Sequence, residues 1–270
     1  MWKRLNVEAV CDEMAAWLGR WNSSSAHLIL LLDETPHHNL WRVVKVSVAY
    51  RKRALPLVWR THALAHRPHK ERVTQVLEQV ARLTARYCPH AQVTLLADRG
   101  LCWPLIIDLC QHNGWHFVLR AQRQIRFVPD PLRARSASCQ IRFVPDPPES
   151  ALVPASNRTY LSLGTLVKER GQFFCGRGRA FAHAGWRQVS VVACWRQGAA
   201  EPWIVVSDLP ASLHLVRLYA RRMWQEQSFR DEKSHGFCWH ESHLPSASAV
   251  HRLLLLVALA QLWLMKRSCG

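Results

Sequence analysis

Two short apolar runs, each closed by an aspartate, place the strongest limit on how this chain can fold. The first is HLILLLD, residues 27–33, and the second is VTLLAD, residues 93–98. Apolar runs of this length, without regular alternation, are typical of strands that are buried on both faces of a sheet. Strands of that kind belong to α/β folds, so we predict an α/β protein in which both runs are central strands.

Each predicted strand carries its aspartate at the carboxyl end, which is where α/β folds place their chemistry. The two acids are Asp33 and Asp98. Glu34 lies beside Asp33, but alternation along a strand turns only one of the two inward, and the following Thr35-Pro36 favours Asp33. The alternative is that Asp33 only opens a turn before Pro36.

Local patterns predict the remaining elements. WRVVKVSVAY (41–50) and LPLVWRT (55–61) predict a hairpin that turns at Arg51-Lys52-Arg53. A further strand is predicted over 116–121, and helices over about 1–20, 70–86, 103–112, 213–233 and 248–267. The apolar run 253–265 is shorter than the roughly 18–20 residues that span a membrane, which indicates a buried core helix.

Four unlike side chains mark the predicted helix 213–233. Tyr219, Arg222, Glu226 and Lys233 follow one another at intervals of three, four and seven residues. On one continuous helix they would fall within an arc of roughly 60°. An acid among two cations and a phenol makes a poor core stripe. Such a face is suited to a site in which Glu226 is a metal ligand and the two cations bind phosphate. The alternative is a solvated helix face.

The three acids together predict a metal site. Asp33, Asp98 and Glu226, brought together from two strand ends and a helix, can bind two divalent cations about 3.5–4 Å apart. Oxygen ligands of this kind suit Mg²⁺ or Mn²⁺. The formal net charge is +17 and the sequence pI is about 10.2, so nucleic acid is the first candidate partner. A generally basic, soluble surface is the alternative.

Residues 123–206 predict a β-rich insertion between the second aspartate and Glu226. QIRFVPDP occurs at 124–131 and again at 140–147, and we expect one copy to pair as a strand and the other to form extra loop. Strands are predicted over 159–163, 185–194 and 203–207, whereas CGRGR (175–179) predicts a basic turn.

Histidine and cysteine spacing does not predict a zinc site. The nine cysteines contain no CxxC pair and the chain begins without an apolar signal region, which indicates reduced thiols in a cytosolic protein. His37 and His38 are interpreted only as part of a polar loop. Two groups lack the paired spacing of zinc ligands: His62, His66 and His69, and then His235, Cys238, His240 and His243.

Taken together, these features resemble the DDE transposases of bacterial insertion sequences, and most of all the IS-four family. That family carries a Tyr-x2-Arg-x3-Glu-x6-Lys signature, which the segment 219–233 matches. Its first aspartate stands in a D-x-T context, here Asp33-Glu34-Thr35, and its second is followed by Arg-Gly, here Asp98-Arg99-Gly100. The resemblance covers about residues 28–264.

The resemblance implies a ribonuclease H-like fold, with a mixed sheet flanked by helices. It implies a catalytic core over 27–122 and 207–268, the β-rich insertion over 123–206, and a short N-terminal segment, 1–26, that is truncated relative to the family. A fragment of this kind leaves open an alternative function, that of a catalytically silent DNA-binding remnant.

The resemblance also implies an activity and roles for the site residues. Two Mg²⁺ ions, with Mn²⁺ as a substitute, would be held by Asp33, Asp98 and Glu226 for metal-dependent DNA cleavage and strand transfer. The side chains expected to contact DNA are Tyr219, Arg222 and Lys233, near the cleaved end, and Trp203, which would stack on a flipped base for about 1–3 kcal/mol. The expected partners are transposon ends and target DNA, with a homodimer forming on DNA. We expect no membrane association, and location in the bacterial cytoplasm at the nucleoid.

Overall fold

The computed structural model describes residues 7–21, 27–64, 69–130, 153–155 and 158–267. The chain divides into two compact units. The first combines residues 1–94 with 221–270, and the second is 95–220. The predicted α/β class, with a mixed ribonuclease H-like sheet flanked by helices, is confirmed. The predicted boundaries at 26, 122 and 206 stay predictions.

Three long antiparallel strands form the sheet of the first unit. They are β1 (His27–His37), β2 (Trp41–Tyr50) and β3 (Arg53–Ala63), and β4 (Gln92–Ala97) lies next to β1. The predicted hairpin at residues 51–53 is confirmed. Arg51 and Lys52 both adopt positive φ, +46° and +63°, as a two-residue turn that matches strand twist requires.

The helices of the first unit cover this sheet with apolar side chains. They are α1 (Val7–Trp21), α2 (His69–Tyr87), α5 (Met223–Arg230) and α6 (Ala247–Arg267). Residues 28–32 of β1 are all buried, as the apolar run predicts. The indole of Trp59 in β3 donates a hydrogen bond to the carbonyl of His251 in α6 (3.1 Å), which fixes that helix against the sheet.

Helix α6 buries one face and exposes the other. Val250 and Leu254 are buried, whereas Leu259 and Trp263 are exposed. The helix begins earlier than its apolar run, so the window Ala247–Leu264 is long and apolar enough to cross a membrane by length and composition. A core helix of a soluble protein can meet the same criterion, and 33% of this window is buried.

Strand β1 does not end at Asp33, where the sequence predicts its end. It continues to His37, with Asp33 opposite Lys45 and Pro36 opposite Arg42 in the β1–β2 register. The apolar pattern of β1 stops at Asp33, but pairing with β2 extends the strand by four residues. Asp33 therefore lies within a strand, and the interpretation that it only opens a turn is wrong.

The second unit contains a long antiparallel series. Its order is β5-β11-β10-β9-β6-β8-β7 and every neighbouring pair is antiparallel. The strands are β5 (His116–Arg120), β6 (Arg126–Pro129), β7 (Val153–Ala155), β8 (Arg158–Ser162), β9 (Phe173–Ala180), β10 (Arg187–Cys194) and β11 (Trp203–Ser207). Its helices are α3 (Pro104–His112) and α4 (Leu213–Ala220). The first copy of the repeat pairs as β6, as expected for one copy, and the second copy lies outside the described residues.

The CGRGR segment is a strand, not a basic turn. Residues 175–179 lie in β9, which pairs with β10 and β6. A Cβ atom added to Gly178 would lie 2.1 Å from the carbonyl oxygen of Val128 and 2.7 Å from the ring of Phe127. Glycine at this position allows the backbones of β9 and β6 to approach closely, and such close approach is one reason for glycine within a strand.

The predicted helix 213–233 is two helices. α4 ends at Ala220, Arg221 and Arg222 form a turn, and α5 begins at Met223 and runs into a π-helical turn over Asp231–His235. Tyr219 therefore does not share one helix face with Arg222 and Glu226. Neither glycine nor proline marks the break. The side chains on either side of it contact different acids, and such tertiary contacts override helix propensity.

Candidate metal and nucleic-acid site

Two acids of the first unit converge on one guanidinium group. Arg222 Nη2 donates to Asp33 Oδ2 at 2.8 Å, and Arg222 Nη1 donates a short hydrogen bond to Glu226 Oε1. The side chains of Asp33 and Arg222 are each 8% exposed, and that of Glu226 is 35% exposed. A strand and a helix thus bring two carboxylates to a single cationic group at the edge of solvent.

The neighbouring Glu34 points away from this group. Asp33 Oδ1 accepts a hydrogen bond from the backbone N–H of Glu34 (2.9 Å), which orients the Asp33 carboxylate. Glu34 Oε1 instead pairs with Arg42 (3.0 Å), and burial raises the pKa of the Glu34 carboxyl. Strand alternation predicts this division, with Asp33 facing the helix and Glu34 facing the opposite side.

A buried ion pair next to the site was not anticipated from the sequence. Lys45, opposite Asp33 in the register, donates to Glu232 Oε1 at 2.5 Å, and both side chains are almost fully buried. The same oxygen accepts hydrogen bonds from Ser228 (2.9 Å) and Gln261 (3.3 Å). Burial lowers the pKa of Lys45, against the opposing effect of Glu232. A lone lysine inside the apolar run of β2 is the signal that could have revealed it.

This pairing separates the roles of the two glutamates. Glu232 is buried and bound to Lys45, so we interpret it as a structural acid. Glu226 is partly exposed and shares its cation with Asp33. Of the two, Glu226 is therefore the acid suited to bind a metal.

The signature lysine lies at the β1–β2 turn. Lys233 Nζ donates a hydrogen bond to the carbonyl oxygen of Pro36 at 2.9 Å. Burial lowers the pKa of Lys233. The lysine is thus attached to the same strand that carries Asp33.

In the second unit, three other predicted residues come together. Asp98 follows β4 directly, and Tyr219 in α4 donates its hydroxyl hydrogen to Asp98 Oδ1 at 3.1 Å. Trp203 at the start of β11 packs edge to face against Tyr219, with ring centroids 5.3 Å apart. Tyr219 is only 2% exposed, whereas Trp203 is half-buried. The indole of Trp203 therefore retains the exposure that stacking would need.

The residues of the first unit fit a divalent cation. Asp33 and Glu226 both direct a carboxylate oxygen at one positive group, and carboxylates are the ligands that Mg²⁺ and Mn²⁺ prefer. Arg222 is the counter-ion that the two acids share in this structure. The participation of Asp98 in the same site stays a prediction.

Comparison with known proteins assigns the chain to a family. A search of curated proteins finds no significant match. A family model described as the transposase DDE domain matches residues 26–263, a span that contains all three predicted acids. Because the match covers most of the 270 residues, the chain belongs to the transposase DDE domain family.

Proposed function

We propose that this chain is a metal-dependent transposase that cuts DNA at the ends of an insertion sequence and joins those ends to target DNA. The observation that carries the proposal is the convergence of Asp33 and Glu226 on the guanidinium group of Arg222. Membership of the transposase DDE domain family and the net charge of +17 support it. The Tyr219–Lys233 signature supports placement in the IS-four family.

The three acids would form the metal site. Asp33, Glu226 and Asp98 would hold two Mg²⁺ ions or, as a substitute, Mn²⁺. When bound, such ions polarise the phosphoryl oxygen and supply an activated oxygen nucleophile. The exposed edge of Glu226 leaves that carboxylate accessible to a ligand from solvent.

The basic and aromatic side chains would bind the DNA. The Arg222 guanidinium can form the bidentate contacts to phosphate that its planar fork favours, and Lys233 adds a second positive charge. Tyr219 would lie near the cleaved end, with Trp203 offering its ring to a base. We further propose that the partners are transposon ends and target DNA, that a homodimer forms on DNA, and that the protein acts at the bacterial nucleoid in the cytoplasm, away from membranes.

The variant Glu226→Gln tests the proposal. It keeps the size of the side chain and removes the charge that a divalent cation requires. We expect Mg²⁺-dependent cleavage of DNA that carries the ends of the encoding element to fall about 10²–10³-fold, as when a group that stabilises developing charge is removed. Gel assays measure cleavage, and fluorescence anisotropy should show unchanged DNA binding.

Glu78→Gln is the matched control, because Glu78 is an exposed glutamate of α2 in the same unit. It should cut like the parent chain. Cleavage by Glu226→Gln at the parental rate would refute the site assignment. A parent chain that binds DNA in a salt-sensitive manner but never cuts with Mg²⁺ would instead indicate the silent remnant.

A further inference from the structure

A histidine cluster lies at the β1–β2 turn, apart from the acids. A ring nitrogen from each of His37, His38 and His240 lies within 4.8 Å of the other two. The rings of His38 and His240 are stacked, with centroids 4.5 Å apart, and His243 stacks on His38 at 5.0 Å. The chain positions 37–38 and 240–243 are far apart in sequence, so linear spacing does not reveal the cluster.

The buried nitrogens of this cluster lack protein partners. His37 is fully buried, and in the part of the chain that the structure describes neither of its ring nitrogens has a hydrogen-bond partner. The Nε2 atom of His38 is also buried, and it too has no hydrogen-bond partner among the described residues. Leaving a buried polar atom unsatisfied costs about 1–3 kcal/mol, so three such atoms in one place require an explanation.

An ion pair does not supply that explanation. Burial, followed by the neighbouring His38, His240, Lys233 and His243, lowers the pKa of His37 to about 4. None of these neighbours is an acid, so none of them forms an ion pair with His37. Neutral imidazole is the form that binds metal ions.

The backbone holds these rings in place. His38 adopts φ +48° in the tight turn between β1 and β2, and Cys238, directly before Trp239, adopts φ +46°. Positive φ is uncommon for residues other than glycine and often marks functional positions. The ring of His37 stacks on buried Trp239, with centroids 4.4 Å apart and planes at 14°. Tight turns with an uncommon backbone conformation therefore present His38 and the segment that carries His240.

We propose that His37, His38 and His240 bind a Zn²⁺ ion, with His243 or water as the fourth ligand. Imidazole nitrogen suits zinc, whereas the carboxylates of Asp33 and Glu226 suit Mg²⁺. Zinc–nitrogen bonds of about 2.0–2.1 Å in a tetrahedron require nitrogens roughly 3.3 Å apart, so the rings of His38 and His240 must turn out of their present stacking to direct their nitrogens at one ion. The ion would tie the strand that carries Asp33 to the segment that follows Lys233.

Zinc binding to the whole chain, freed of any purification tag that contains histidine, tests the proposal. Excess Mg²⁺ occupies oxygen sites during a calorimetric titration with ZnCl₂. We expect one equivalent of Zn²⁺ to bind. Titration with Co²⁺ should give the intense visible bands of a tetrahedral site.

His240→Gln is the decisive variant, because His240 is exposed and its loss leaves the core intact. We expect it to weaken Zn²⁺ binding by at least about 10–100-fold, since replacing even a supporting group costs that much. His90→Gln, an exposed histidine at the end of the α2–β4 connection, should bind like the parent. Absence of Zn²⁺ binding by the parent, or parental affinity in His240→Gln, would overturn the proposal. So would loss of the Zn²⁺ equivalent in Glu226→Gln, which would place the ion at the acids.

Discussion

Arg222 neutralises two acids that would otherwise repel each other. Its guanidinium contacts Asp33 and Glu226, and Asp33 has little access to solvent. A buried charge that loses a directly hydrogen-bonded counter-ion is costly, and removing one partner of a buried pair destabilises proteins by about 3–5 kcal/mol. A divalent cation bound by the same acids would serve as a replacement counter-ion. Arg222 and such a cation would therefore compete for one pair of carboxylates.

We predict that Arg222→Met lowers the free energy of unfolding by about 3–5 kcal/mol in EDTA. Mg²⁺ should restore part of this loss, because the ion supplies the missing positive charge to Asp33 and Glu226. Urea unfolding with EDTA and with saturating Mg²⁺ measures both effects. In the parent chain, where Arg222 already provides that charge, Mg²⁺ should stabilise less.

Arg230→Met provides the control for this prediction. Arg230 is an exposed arginine of α5, and its replacement should change stability by no more than about 0.5 kcal/mol. If Mg²⁺ stabilised the parent and Arg222→Met equally, the ion would not be replacing the guanidinium, and the competition would be absent.

At the scale of the elements, local sequence predicts most of the first unit. The apolar runs, the β2–β3 turn at Arg51 and Lys52, and α2 follow from short-range patterns, and the structure agrees. The continuation of β1 past Asp33 does not follow, because it depends on pairing with β2. The break between α4 and α5 depends on contacts of Tyr219 and Arg222 with different acids, and no local breaker announces it.

The candidate site shows the same division. Three acids stand out in the sequence, namely Asp33, Asp98 and Glu226. The first two close apolar runs and the third lies among cations, and packing of a core explains neither context. Lys45 and Glu232 do not, since a buried ion pair becomes visible only when two distant elements meet. The histidine cluster joins His37 to His240 across some 200 residues, a separation that no spacing rule covers.

The close approach of β9 and β6 gives a prediction for one glycine. Gly178→Ala places a methyl group against the Val128 carbonyl and the Phe127 ring, a contact that must be relieved by separating the strands. We expect the free energy of unfolding to fall by about 1–3 kcal/mol, the usual cost of overpacking. Chemical denaturation followed by circular dichroism measures it.

Gly100→Ala is the matched control. A Cβ atom at Gly100 meets nothing within 4 Å. Its replacement should leave stability within about 0.5 kcal/mol of the parent. Equal losses for the two variants would show that the β9–β6 contact is not what requires glycine at position 178.

At the scale of the whole molecule, two histidines make the first unit sensitive to acid. Burial lowers the pKa of His37 to about 4, and burial also lowers that of His251 in α6 to about 4, helped by Arg60 and Arg252 and opposed by Glu8. Both are ordinarily near 6.5. The unfolded chain therefore binds protons at a pH where the folded chain does not, and protons favour unfolding.

We predict that the stability contributed by these two neutral histidines is fully present above pH 6.5 and is lost as the pH drops from 6.5 towards 4. Each histidine contributes a slope of up to about 1.4 kcal/mol per pH unit, and a total of about 3 kcal/mol over the interval. Unfolding free energies measured by urea titration at several pH values, in EDTA, test this.

His37→Gln should remove about half of the pH-dependent loss, whereas exposed His90→Gln should leave it unchanged. With excess Zn²⁺ present, the parent should lose stability more steeply over the same interval, because bound zinc requires neutral imidazoles and stabilises only the folded chain. A parent whose stability is flat between pH 6.5 and 4 would show that these two rings are not held neutral by their burial.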